Sequence, residues 1–228
     1  MAIISFWSCS PSEQELFDEG IKMMETEQYD KAIEFFDRTI EKNPANTTAL
    51  NAKGVALFQQ SKFDEAIASF SASIDVDSTS YKPYFNRGNA YLEKKSYKEA
   101  LLDYNTANGL DPKQNDIYYN RGLALLALEQ YEDAIFDFDV ALQADPKNAL
   151  AQFNKAKAQL GNNDPVSAIN SLINTVNLDK QNGAAYYLLG VTQMSAFGQK
   201  EDGCANLKLA LSLGYAEAKT WIDDFCKE

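Results

Sequence analysis

The chain has 228 residues, 45% of them hydrophobic and 24% charged, a composition that folds and excludes a disordered chain. It contains no histidine, which excludes imidazole-based nucleophiles, imidazole zinc ligands and the usual near-neutral general base. Against 33 Asp and Glu stand 21 Lys and Arg, and the resulting charge of -12 repels phosphate backbones and anionic headgroups, so nucleic acid is not an expected partner.

Residues 1–11 hold the apolar run Ile3, Ile4, Phe6 and Trp7, closed by Ser8-Cys9-Ser10-Pro11. The run is too short to span a bilayer, which takes about 20 residues, and it lacks the basic region of a complete signal peptide. It is similar to the tail of a bacterial lipoprotein signal, in which apolar and small residues precede a cysteine that receives lipid. That resemblance makes Cys9 a candidate lipidation site, the only membrane attachment expected, and the bacterial periplasm or outer membrane the expected location. The competing reading is a ragged apolar end packed on the first helix that follows, in a cytoplasmic protein.

From residue 12 onward the chain repeats itself. Gly20, Gly54, Gly88 and Gly122 are 34 residues apart, Ala156 holds the next place and Gly190 the one after. Ala32, Ala66, Ala100, Ala134 and Ala168 keep the same interval, as do Tyr29, Phe63, Tyr97 and Tyr131. Phe36, Phe70, Tyr104, Phe138 and Leu172 form a further column, and Pro44, Pro112 and Pro146 another, with Ser78 in the second unit. Within a unit the spacing is helical. Tyr84, Gly88, Tyr91 and Leu92 return at three- and four-residue steps, and after a break at Lys95-Ser96 the residues Ala100, Leu101, Tyr104 and Ala107 give a second apolar face. The small columns are expected to let helix A approach helix B, the aromatic columns to fill the space between units, and proline to open the next helix.

Five units follow, 13–46, 47–80, 81–114, 115–148 and 149–182, the fifth being the weakest because Ala156, Gln159 and Leu172 replace the glycine, the large apolar residue and the aromatic found elsewhere. A sixth, 183–213, starts with YYLLG but has Ala205 where Ala168 plus 34 would fall three residues earlier, which calls for an insertion around Phe197 to Asp202. Gly214 suits the left-handed end of a helix. Ala218, Trp221, Ile222 and Phe225 then give one last apolar stripe, read as a cap over 215–227, because a repeat array must cover its final face. Cys204 and Cys226 lie 10 residues before and 12 after Gly214, roughly 15 and 18 Å from the turn of a helical hairpin. They pair as a disulfide in an exported protein, or remain two buried thiols in a reducing compartment.

These columns resemble the tetratricopeptide repeat, a 34-residue helix-turn-helix with small residues at its eighth and twentieth positions and proline at its end. The resemblance implies an all-α fold, a right-handed superhelical solenoid of about six helix-turn-helix units with a C-terminal capping helix over residues 12–228. It also implies a protein-binding scaffold, with a peptide or protein segment as partner and no catalysis. The A helices would line a concave groove. One row across it is Phe17, Asn51, Phe85, Tyr119, Phe153 and Tyr187; the next is Asp18, Ala52, Asn86, Asn120, Asn154 and Leu188. Asparagine offers a donor and an acceptor that suit the backbone of an extended peptide, and the aromatic residues offer apolar contact with a polar tip. The same residues would equally well tie neighbouring helices together. One subclass of the family clamps a chaperone's terminal carboxylate with lysines and asparagines, but Phe17 and Ile21 stand at the matching positions, so that clamp is not expected.

Chemistry that tempts is better read as structure. Asp75-Val76-Asp77-Ser78-Thr79 imitates a phosphatase motif, yet it falls at the turn between units with no strand before it, and it lacks the glycine and glutamate of a calcium loop. Asp137 and Asp139 are two apart on a helix and point to different faces. There is no phosphate-binding glycine loop. No catalytic residue, cofactor or metal is expected. The function expected is an envelope-anchored binding scaffold, with a cytosolic adaptor in a multiprotein complex as the alternative.

Overall fold

The computed structural model describes residues 10–226, and these form thirteen α-helices with no strand among the described residues. Their contacts divide into two compact units meeting at Pro112 and Lys113. The first holds α1 (Glu13–Glu25), α2 (Tyr29–Lys42), α3 (Thr47–Gln59), α4 (Phe63–Val76), α5 (Tyr81–Glu93) and α6 (Tyr97–Leu110). The second holds α7 (Asn115–Ala127), α8 (Tyr131–Ala144), α9 (Ala149–Gly161), α10 (Pro165–Leu178), α11 (Gly183–Phe197), α12 (Lys200–Ser212) and α13 (Ala218–Phe225). Odd-numbered helices up to α11 begin every 34 residues and pack on the even-numbered helix that follows.

Short-range chemistry sets the boundaries. Ser12 and Glu15 form a capping box on α1, with Ser12 Oγ accepting from Glu15 N (3.2 Å) and Glu15 Oε2 from Ser12 N (2.7 Å). Asn46, Asn148 and Asn182 cap α3, α9 and α11 by accepting the amides of Ala49, Ala151 and Ala185. At the turns between pairs, Asn43, Asp77, Asp145 and Asp179 accept the main-chain N–H two residues ahead. Asp77 of the phosphatase-like stretch is one of these turn residues, and its bonds from Thr79 hold its carboxyl below the usual range.

The proline column does a different job from the one its sequence position suggests. Pro44 and Pro146 directly follow the helix-ending residues Asn43 and Asp145, and α3 and α9 start three residues later. Proline's ring disfavours the helical conformation of the residue before it. Asn43 (φ -142°, ψ 91°) and Asp145 (φ -129°, ψ 87°) have left it accordingly. Proline here suits the end of helix B and does not open helix A; α4 and α10 end with the same backbone at Asp77 and Asp179, where Ser78 and Lys180 follow, so the stop does not require it.

Between the two helices of a pair, Glu27, Ser61, Lys95, Glu129 and Asn163 all adopt the left-handed conformation, at φ from 57° to 60°. Each lets the next N–H reach back five residues, as Gln28 N does to Met23 O (2.8 Å) and Asp164 N to Gln159 O (2.8 Å). None of the five is glycine, so each stores a little backbone strain. Lys95→Gly is therefore expected to stabilise the first unit by about 0.5 kcal/mol, the relief being partly offset by glycine's larger unfolded-state entropy. Lys95→Val should lower the urea midpoint instead.

The core is built from a size rule. Beside Gly20, Gly54, Gly88 and Gly122 lies the ring sixteen residues on, at Phe36, Phe70, Tyr104 and Phe138, all fully buried. A Cβ on Gly20 would sit 2.5 Å from Phe36 Cε1. These glycines thus make room for an aromatic ring, and only in the sixth pair does glycine meet backbone, where a Cβ on Gly190 would lie 2.7 Å from Gly203 O and 2.9 Å from Leu207 Cγ. In the fifth pair, Ala156 faces Leu172, a larger residue against a smaller one. Tyr131 of the Tyr29 column does pack between pairs, against Gly161 of the next helix, where a Cβ would lie 2.6 Å from its Cζ.

The sixth pair has its insertion inside the expected stretch, at Gly198, but corrects its size. Gly203 is the buried small residue on α12, and Ala205 is exposed. The insertion is one residue, taken up by Gly198 (φ 66°), after which Gln199 N reaches back six residues to Gln193 O (2.9 Å).

Candidate helix-A binding face

In the first unit the face begins with ring-on-ring packing. Phe17 rests on Phe36 (centroids 5.7 Å apart) and Phe85 on Tyr104 (6.1 Å), so both are half-buried and pinned by the core ring of their own pair. Between them Asn86 Nδ2 donates to Asn51 Oδ1 at 3.0 Å, joining α5 to α3. Tyr104 OH donates to Asn89 Oδ1 at 2.8 Å, and burial pushes its phenol far above its ordinary value. Asn86 and Asn89 then line a cavity of about 130 Å³ with Val55, Phe58, Gln59 and Phe70, an apolar floor with amides at its edge.

In the second unit Tyr119 rests on Phe138 (6.0 Å), and Asn154 Nδ2 donates to Tyr119 OH at 3.4 Å, joining α9 to α7. Asn120 is half-buried on α7. Phe153 packs against the cluster around Leu172 and carries Lys157 Nζ over its ring at 5.9 Å. Tyr187 meets Tyr215 of the turn before α13, at 4.9 Å between centroids. Asn86 and Asn154 therefore each spend one N–H on the preceding A helix. A carboxamide has two N–H donors and a two-lone-pair oxygen, so such a bond leaves capacity for a second backbone.

A charged layer beneath this face escaped the sequence reading. Arg87 forks onto Asp103 (Nε and Nη2, both 2.8 Å) and also donates to Ser71 Oγ at 2.9 Å. Arg121 forks onto Asp137 (both 2.7 Å), which is 1% exposed. Burial pushes the Asp137 carboxyl above its ordinary range, and the Arg121 fork opposes that rise. Lys155 pairs instead with Asp139 at 2.5 Å, so Asp137 and Asp139 serve different cations. The signal was present as two columns with the 34-residue interval, Arg87 with Arg121 and Asp103 with Asp137, each arginine preceding its aspartate by sixteen residues.

At the far end, Cys204 and Cys226 are joined as a disulfide, with Cα atoms 5.6 Å apart. Cys9 and the apolar run before it lie outside the described residues. Among the described residues no three acidic or cysteine side chains converge as metal ligands, and no helix is long and apolar enough to cross a membrane.

Family models described as tetratricopeptide repeat match residues 17–83 and 116–148, and one described as TPR repeat matches 88–129. No curated protein matches the chain. Among solved structures, YrrB, described as a TPR protein with an unusual peptide-binding site, is 22% identical with a TM-score of 0.71, over 78% of this chain and 91% of YrrB. MamA from Desulfovibrio magneticus is 18% identical (TM-score 0.70; 75% of this chain, 96% of MamA). A tetratricopeptide repeat protein from Parabacteroides merdae is 20% identical (TM-score 0.68; 94% and 99%). At such identities the likeness is one of fold, and it agrees with the family matches and with the helix pairs themselves. The chain belongs to the tetratricopeptide-repeat family.

Proposed function

We propose that the protein is a non-catalytic scaffold whose helix-A faces hold an extended peptide or protein segment. The observation that carries this is that each unit sets amides beside half-buried rings on its A helices, Asn51 and Asn86 with Phe85 in the first, Asn120 and Asn154 with Tyr119 and Phe153 in the second. An extended backbone exposes alternating donors and acceptors, which carboxamides match without requiring a charge on the partner. The rings are held in place before any ligand arrives, which lowers the ordering cost of binding. The peptide-binding site described for YrrB supports this reading by analogy of fold.

The test is Asn86→Ala, Asn120→Ala and Asn154→Ala in one chain, probed on an immobilised library of capped peptides alongside the wild type. The bonds that Asn86 and Asn154 make to the preceding A helix are half-buried, so their loss costs about 1 kcal/mol each, whereas binding should fall at least tenfold. A variant that melts far lower yet keeps its peptide profile would sink the proposal, because the row would then be purely structural.

The location proposed is a bacterial envelope facing the periplasm, with a lipid on Cys9. It is supported by the Phe6-Trp7-Ser8-Cys9 run and by the disulfide at the other end, since disulfides persist in oxidising compartments. Cys9→Ser is expected to move the protein from the detergent phase to the aqueous phase in a phase-partition assay of its native cells. Aqueous partition of the unaltered chain would favour the cytosolic adaptor instead.

A further inference from the structure

Helix α13 is too small to hold its own place. It has eight residues, Ala218 is its one buried residue, and no side chain caps its N-terminus. Helices of this length are marginal in water, so α13 exists because it is docked. Its docking surface is the open end of the α11–α12 pair. There Leu207 and Ala210 are fully buried beneath Ala218, with Tyr187, Val191, Met194, Trp221 and Ile222 around them. Besides the peptide chain that leads into it, α13 has a covalent tie at its other end, where Cys226 ends the helix and bonds Cys204 on α12.

We infer that α13 is a thiol-releasable cap: the Cys204–Cys226 bond holds it over the apolar end of α11–α12, and reduction frees it and uncovers that surface. The step is a two-electron exchange. A dithiol attacks the disulfide, forms its own S–S bond, and leaves both cysteines as thiols carrying the reductant's two protons. The rest of the second unit does not depend on the bond. Cys204 sits on α12, which is packed along its length against α11, and the Gly190–Gly203 approach holds those two helices without the sulfur. What depends on it is the turn from Gly214 to Ala218 and α13 itself, including the contact of Tyr215 with Tyr187.

Hydrogen exchange read by mass spectrometry on the full chain, with and without dithiothreitol, tests this. For a loop closed by residues 22 apart, loss of the crosslink is expected to speed exchange over 214–226 roughly a hundredfold, while α7 to α12 keep their protection. Binding of a hydrophobic dye should rise in step. Cys204→Ser with Cys226→Ser, without reductant, should reproduce both changes and so separate them from any effect of Cys9. Unchanged exchange in α13 after verified reduction would overturn the inference, since the apolar contacts alone would then hold the cap. Loss of protection throughout α7 to α12 would overturn it too, because the cap would not be a separable element.

Discussion

Gly54→Ala is expected to destabilise the first unit by about 2 kcal/mol, although alanine is the better helix former by about 1 kcal/mol. The added Cβ would lie 2.6 Å from Phe70 Cδ1 and 2.9 Å from Cζ, and Phe70 is 1% exposed, so the ring has nowhere to turn. Overpacking of this kind costs about 1–3 kcal/mol. Phe70→Leu alone should also lose about 1 kcal/mol, through the cavity it leaves. Together the two substitutions recreate the pairing that the fifth repeat already uses, Ala156 against Leu172, both fully buried. The double variant should therefore be more stable than Gly54→Ala alone, with a favourable coupling of at least about 1 kcal/mol in a cycle of urea unfolding measurements. Simple additivity would show that the glycine serves the helix backbone and not the ring.

That pairing also marks what the sequence discloses about this fold. Residue size at a fixed interval was sufficient to locate the helix pairs, because a glycine, an alanine and a ring each leave a column that no other arrangement needs. The partner of each glycine was not legible, since the column says a small residue is required but not what occupies the space. Lys95 and Glu129 show a second gap. Their left-handed backbone is imposed by the five-residue hydrogen bond that ends helix A, and nothing in a lysine or glutamate announces it. Gly203 shows a third, where a one-residue widening at Gly198 puts the buried small residue one place past the 34-residue register, at 203 and not at Ala205. On the binding face, the positions of Asn86 and Asn154 followed from the period, but their bonds to Asn51 and Tyr119 needed the distance between neighbouring helices. Counting along one chain cannot supply such a distance.

The charged layer under the face gives the other large effect, and it is pH-dependent. Arg121→Met keeps most of the stem's volume but leaves the Asp137 carboxylate buried without its fork. Removing one member of a buried pair costs about 3 kcal/mol, and part of the loss here is the stacking of the guanidinium on Tyr118, 5.3 Å from the ring centroid. Burial already raises the Asp137 carboxyl above its unfolded value, against the pull of Arg121, and removing Arg121 widens that gap. A carboxyl whose folded value lies above its unfolded one favours the fold when protonated. Its contribution is complete below the unfolded value, about 3.9, and is lost as pH rises through the folded one. The deficit of Arg121→Met against the wild type should therefore be greatest near pH 7 and shrink toward pH 4, as measured by urea midpoints across that range. Arg121→Met with Asp137→Leu should recover much of the loss at pH 7, because no carboxylate then remains to be desolvated. A deficit independent of pH would assign the whole cost to the lost stacking and packing of the arginine, and the buried carboxylate would carry none of it.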